Sequence, residues 1–130
     1  MVVLYAIDIL KRYKEEELPE FSGIDLISVN QPGIFGNYPI HVACVRGSMD
    51  EINALIHGGA DINALGELGN TPLHEAIGQN NVEVVRLLLH LGGNVTVKND
   101  FGDTPFDVAK NNNRQDIIKL LMASRIRACQ

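Results

Sequence analysis

Tryptophan is absent from the chain, and aromatic residues make up only 5 % of it. A core built from these residues must therefore be aliphatic, drawn from Leu, Ile, Val and Ala. Cysteine is almost as scarce: Cys44 and Cys129 lie far apart, the second beside the last residue. Two such cysteines make neither a disulfide framework nor a CxxC metal knuckle, and they fit a reducing compartment. No apolar run approaches the ~20 residues needed to span a bilayer. The opening MVVLYAIDILKRYK is interrupted by Asp8 and lacks both a basic leader and a cleavage site. Cytoplasmic residence and no membrane partner are therefore expected. Basic residues are nearly missing from one long region. Between residues 15 and 85 only Arg46 stands against eleven acids, whereas Lys110, Arg114, Lys119, Arg125 and Arg127 outnumber Asp116 near the end. An acidic body argues against nucleic acid and for a partner of basic character.

What is present is a folded, soluble composition in 130 residues, 45 % of them hydrophobic and 21 % charged. One domain spanning 1–130 is expected. The chain repeats itself at a spacing of 33: GNYPIHVA (36–43) aligns with GNTPLHEA (69–76), and that with GDTPFDVA (102–109). Pro39, Pro72 and Pro105 coincide, as do the glycines before them and the alanines after them. A fixed ring φ and a missing N–H suit each proline to the first turn of a helix. Thr71 and Thr104 stand before it as N-caps, and Tyr38 in the first copy cannot cap in that way. Gly47, Asn80 and Asn113 fall in register as helix stops, and second helices carry the matching pairs Leu55/Ile56, Leu88/Leu89 and Leu121/Met122. Gly59 and Gly92 end the first two of these.

A 33-residue period carrying T-P-L-H-x-A resembles the ankyrin repeat; residues 71–76 match the motif in full and the other two copies depart at two places each. The resemblance implies an all-α solenoid of stacked helix-turn-helix units joined by hairpin loops. Its parts would be an N-terminal cap with an irregular first repeat (1–35) and repeats at 36–68, 69–101 and 102–130, the last also a C-terminal cap. In the cap, Leu4, Ile7 and Leu10 are expected on one apolar helical face, with Asp8 in the histidine slot and Pro19 stopping a full second helix. Asp107 takes the histidine slot of the last copy, and Arg125 and Arg127 suit a helix C-terminus. The array reads as complete.

His41 and Cys44, three apart on one helix face, raise the question of a nucleophile with its base, or of a metal site. In repeat register His41 pairs with His74 and His57 with His90, too far apart to share one ion. No metal and no cofactor is expected, and no catalytic group. The resemblance gives His41 and His74 a structural role, hydrogen bonding within their own turn and to the next unit. Cys44 reads as a small core filler. LIHGGADIN (55–63) resembles a site where ankyrin loops are hydroxylated, with Asn63 as target, but a plain loop asparagine explains it. The run KEEELPE reads as a solvated helix end.

The family's hairpin tips and first helices form a concave face that grips partners. Here Phe35, Leu68 and Phe101 fall in register before the motif glycine, as an apolar column joined by Ile34, Tyr38 and Leu65. Glu67, Glu75 and Asp103 give that face an acidic rim. The expected function is non-catalytic protein binding by a monomer that blocks or stabilises a partner. Its most specific form is an immunity-type inhibitor of a cognate toxin; an adaptor, or an inhibitor of another kind of enzyme, is the alternative.

Overall fold

A computed structural model describes residues 4–128, with side chains as far as Ser124. Cys129 and the side chains of Arg125 and Arg127 lie outside the described residues. Seven helices make up the described chain: α1 (Ala6–Glu15), α2 (Pro39–Arg46), α3 (Met49–His57), α4 (Pro72–Gly78), α5 (Val82–His90), α6 (Pro105–Asn111) and α7 (Gln115–Ala128), with no strand among the described residues. Short 3-10 turns occur at Pro19–Phe21 and Glu67–Gly69.

The first helices of the repeats start alike. Proline occupies the first turn of α2, α4 and α6. Thr71 Oγ1 accepts the His74 N–H at 3.3 Å and Thr104 Oγ1 accepts that of Asp107 at 3.2 Å. Tyr38 has no side-chain cap bond, so α2 begins on the ring of His41 instead. All three helices stop on a left-handed residue, Gly47, Asn80 and Asn113 at φ 73°, 54° and 54°. The next N–H then reaches back to the motif alanine: Ser48 to Ala43 O at 3.2 Å, Asn81 to Ala76 O at 3.1 Å, Arg114 to Ala109 O at 2.9 Å. This six-to-one closure satisfies carbonyls the helix end would otherwise leave open.

These helices pack side by side, α2 on α4 and α4 on α6, each also against its own second helix. Ala43, Ala76 and Ala109 are fully buried at the crossings, with Ile40, Leu73 and Ile77 around them. Leu55, Leu88 and Leu121 fill the core from the second row, and their neighbours Ile56 and Leu89 are only half-buried, with Met122 exposed.

The N-terminal segment departs from the sequence expectation. Its buried stripe is Ile9, Leu10 and Tyr13, whereas Ile7 is 73 % exposed. Leu4, Ile7 and Leu10 do not form the packed face: Leu4 precedes the helix, and Ile7 stands about 160° around the axis from the buried Ile9 at 100° per residue. Although in phase with the first helices, α1 packs against α3, at the head of the second row. The 3-10 turn at Pro19–Phe21 then brings Glu20 to the first hairpin.

That α1–α3 junction holds a buried charge. Glu51, 1 % exposed, accepts from the Tyr13 hydroxyl at 2.6 Å and pairs with Arg12 at 2.8 Å and Arg46 Nε at 3.2 Å. Arg46 also pairs with Glu16 at 2.5 Å and lies 5.3 Å above the Tyr13 ring. Burial, followed by the Glu51 carboxylate, pushes the Tyr13 hydroxyl far up. Glu16 therefore belongs to a tie between cap and repeats, and the KEEELPE run is not merely a solvated helix end.

Candidate docking face

Each repeat enters its first helix through a hairpin, closed by Gly33 N–H to Asn37 O at 2.7 Å, Gly66 N–H to Asn70 O at 2.8 Å and Asn99 N–H to Asp103 O at 2.9 Å. Successive hairpins are laddered. Glu67 N–H donates to Asn37 Oδ1 at 2.9 Å, Asp100 N–H to Leu68 O at 3.0 Å, and Asn99 Nδ2 to Asn70 Oδ1 at 3.0 Å. Gly66 permits this approach, since a Cβ there would lie 2.5 Å from Asn37 Oδ1 and 2.8 Å from His41 Nε2.

The two motif histidines join one unit to the next. His74 Nδ1 accepts the Thr71 N–H at 3.0 Å, and Nε2 donates to Asp103 O at 2.9 Å. In α2, His41 Nδ1 accepts the Tyr38 N–H at 3.0 Å, and its Nε2–H points at Ala64 O and Asn70 O, both at 2.9 Å. These partners require the neutral ring with its proton on Nε2. Burial lowers both pKa values, against the hydrogen bonds that raise them. In α6, Asp107 Oδ2 accepts the Thr104 N–H at 3.0 Å, which holds its carboxyl below the usual range. Asp8 Oδ2 likewise accepts the Tyr5 N–H at 3.0 Å. A carboxylate satisfies its own turn but has no proton for a following carbonyl.

Cys44 is fully buried, and its thiol is pushed far up by that burial. With both His41 nitrogens engaged in backbone contacts, this pair has no accessible thiolate and no free base. Its place is in the core. Among the described residues no cluster of three or more His, Cys, Asp or Glu side chains is arranged to hold a metal ion.

The residues read from sequence as one face fall in four places. Phe35, Leu68 and Phe101 stand on the hairpin tips, 53 %, 51 % and 70 % exposed, with Ile34 also exposed. Leu68 sits at φ 59° and Gly69 at φ 70°, a left-handed pair that turns the hairpin tip. Glu67 and Glu75 line a groove of about 410 Å³ together with Glu20, Asn37, Val42, Val45, Arg46 and Gln79. Tyr38 and Leu65 line a different hollow, with Asn30, Asp61 and Asn63. Asp103 contributes its carbonyl to His74.

Sequence reading missed Asn37 and Val42, which lie within the motif, and Val45 and Gln79, which follow its alanine within one turn. It also missed Glu20. That side chain is 7 % exposed; it accepts from the Phe35 N–H at 2.6 Å and Asn37 Nδ2 at 2.5 Å, and its carbonyl accepts from Ile34 N–H at 2.8 Å. Glu20 thus takes the place that a preceding hairpin would hold. A lone glutamate in an acidic run carries no sequence signal of such a role.

A row of helix pairs with laddered hairpins and exposed apolar tips defines a repeat array that presents one extended surface for docking. The chain belongs to the ankyrin repeat family: the family model for ankyrin repeats (3 copies) matches residues 7–99 and 52–129. Ankyrin repeats form a protein–protein interaction module, so the partner is a protein. No curated protein matches the chain. No helix of the described residues is long and apolar enough to cross a membrane.

Proposed function

We propose that the protein works by occupancy: the hairpin tips and the adjoining groove bind a partner protein and block or stabilise it, with no chemistry of their own. The observation that carries this reading is the column Phe35, Leu68 and Phe101, three large apolar side chains half or more exposed and set side by side by the repeat. Large side chains on a rigid scaffold cost little entropy to order at an interface, which is why aromatic anchors dominate binding energy. The groove beside them is acidic, which favours a basic surface and speeds its encounter.

In its most specific form the partner is a basic toxin and the protein its immunity-type inhibitor, acting in the cytoplasm as a monomer. A toxin gene beside its own, and co-purification of the two products, would support that form. The general reading is tested with the variant Phe35→Ala/Leu68→Ala/Phe101→Ala in a pull-down alongside the wild type. Partners that bind the wild type are expected to be lost, and equal recovery by the variant would refute the tip column.

A further inference from the structure

The charges of this molecule are compensated unevenly. At the α1–α3 junction, the buried Glu51 meets two guanidinium groups, and Arg46 is shared between it and Glu16. In the groove, Glu20, Glu67 and Glu75 form no ion pair among the described residues, and their nearest donors are neutral. Asn37 Nδ2 serves Glu20 and stands 3.5 Å from Glu67 Oε2, and Asn70 Nδ2 lies 3.3 Å from Glu75 Oε1. Glu75 is half-buried, and its carboxyl is raised by burial and by the neighbouring Glu67. Arg46, also in the lining, brings no free charge, since its guanidinium is already committed to Glu16 and Glu51. Between these acids, α2 presents the apolar side chains of Val42 and Val45, the latter exposed.

We propose that this groove is the seat of an arginine side chain of the partner protein, its aliphatic stem over Val42 and Val45 and its guanidinium between Glu67 and Glu75. A planar fork of N–H donors suits two carboxylates whose remaining oxygens are open, and its stem covers apolar surface. Holding the Glu75 carboxylate partly out of water without a cation is unfavourable, and a guanidinium seated between it and the exposed Glu67 reverses that. This deepens the occupancy reading and rests on it.

The test uses the whole chain and the peptide acetyl-Gly-Arg-Gly-amide, followed by amide chemical shifts. Saturable shifts are expected at Val42, Val45, Glu75 and Gln79, and their absence overturns the proposal. Replacing arginine by the neutral isostere citrulline should abolish them; equal shifts from both peptides overturn the assignment. Glu67→Gln/Glu75→Gln keeps the side-chain oxygens that Asn37 and Asn70 approach, so the fold should persist, as an unchanged melt would verify. It should weaken binding by about tenfold or more, the equivalent of ~1.4 kcal/mol. The control Glu83→Gln, on the exposed face of α5, removes a charge outside the groove and should change little. Equal weakening by control and double variant would reduce the effect to bulk acidity and overturn the site. The tripeptide is too small to report on the tip column. If it fails to bind while the tip variant loses its partners, the arginine seat alone is refuted.

Discussion

At the scale of single residues, the motif histidines are neutral crosslinks between repeats. The Nε2 proton of His74 is held by a carbonyl of the next unit and its Nδ1 lone pair by its own turn. His74→Ala removes both and leaves buried groups without partners, which should cost about 1–3 kcal/mol in urea denaturation. Protonating the ring would put a second N–H against the Thr71 N–H. Both His41 and His74 have folded pKa values below the ordinary 6.5. The unfolded chain therefore binds more protons below that pH, and stability should fall as pH drops from 6.5 toward the folded values. Glu75, with its raised carboxyl, works in the opposite direction at lower pH. A melting temperature flat from pH 7 to 5 in the wild type, together with an unchanged profile in His74→Gln, would contradict the neutral crosslink. Ala76 is fully buried between the packed first helices. Ala76→Val should overpack the crossing at roughly 1–3 kcal/mol, readable as a lower melting temperature.

At the scale of elements, the ends differ from the middle in ways that follow from which neighbours they lack. The N-terminal helix α1 heads the second row and is held by an apolar stripe and by the Glu51 cluster. Glu51→Gln would keep a hydrogen bond acceptor for Tyr13 but leave Arg12 and Arg46 without their shared anion. A loss of about 1–3 kcal/mol is expected, moderated because both arginines are partly solvated. Hydrogen exchange should place the loosening in α1 first; exchange unchanged in α1 would show that the apolar stripe alone holds the cap. The first hairpin depends on Glu20 for the same reason, as no earlier repeat supplies its donors with acceptors.

At the scale of the whole molecule, stacking turns small periodic features into one continuous surface. The tips, spaced by the repeat, carry apolar side chains that are half or more exposed and contribute little to the core. The variant Phe35→Ala/Leu68→Ala/Phe101→Ala should therefore melt close to the wild type, each change costing within about 0.5 kcal/mol. A loss of several kcal/mol would mean that the column stiffens the hairpins and is not a free docking face.

The repeat period, the helix starts at Pro39, Pro72 and Pro105, the left-handed stops and the buried alanines were all legible in the chain alone. Each is a local requirement of backbone geometry or side-chain size, and repetition made it visible three times. The residues without a repeated counterpart were not legible in this way. The burial of Glu20 and Glu51, the outward turn of Ile7 and the seating of α1 on α3 depend on contacts between segments distant in sequence. Likewise, the division of Glu67 and Glu75 from Tyr38 and Leu65 depends on which side of each hairpin a side chain leaves. Periodicity specifies the unit because neighbouring units impose the same demands on it. Only packing decides what happens where a neighbour is missing, or where side chains from several units meet around one groove.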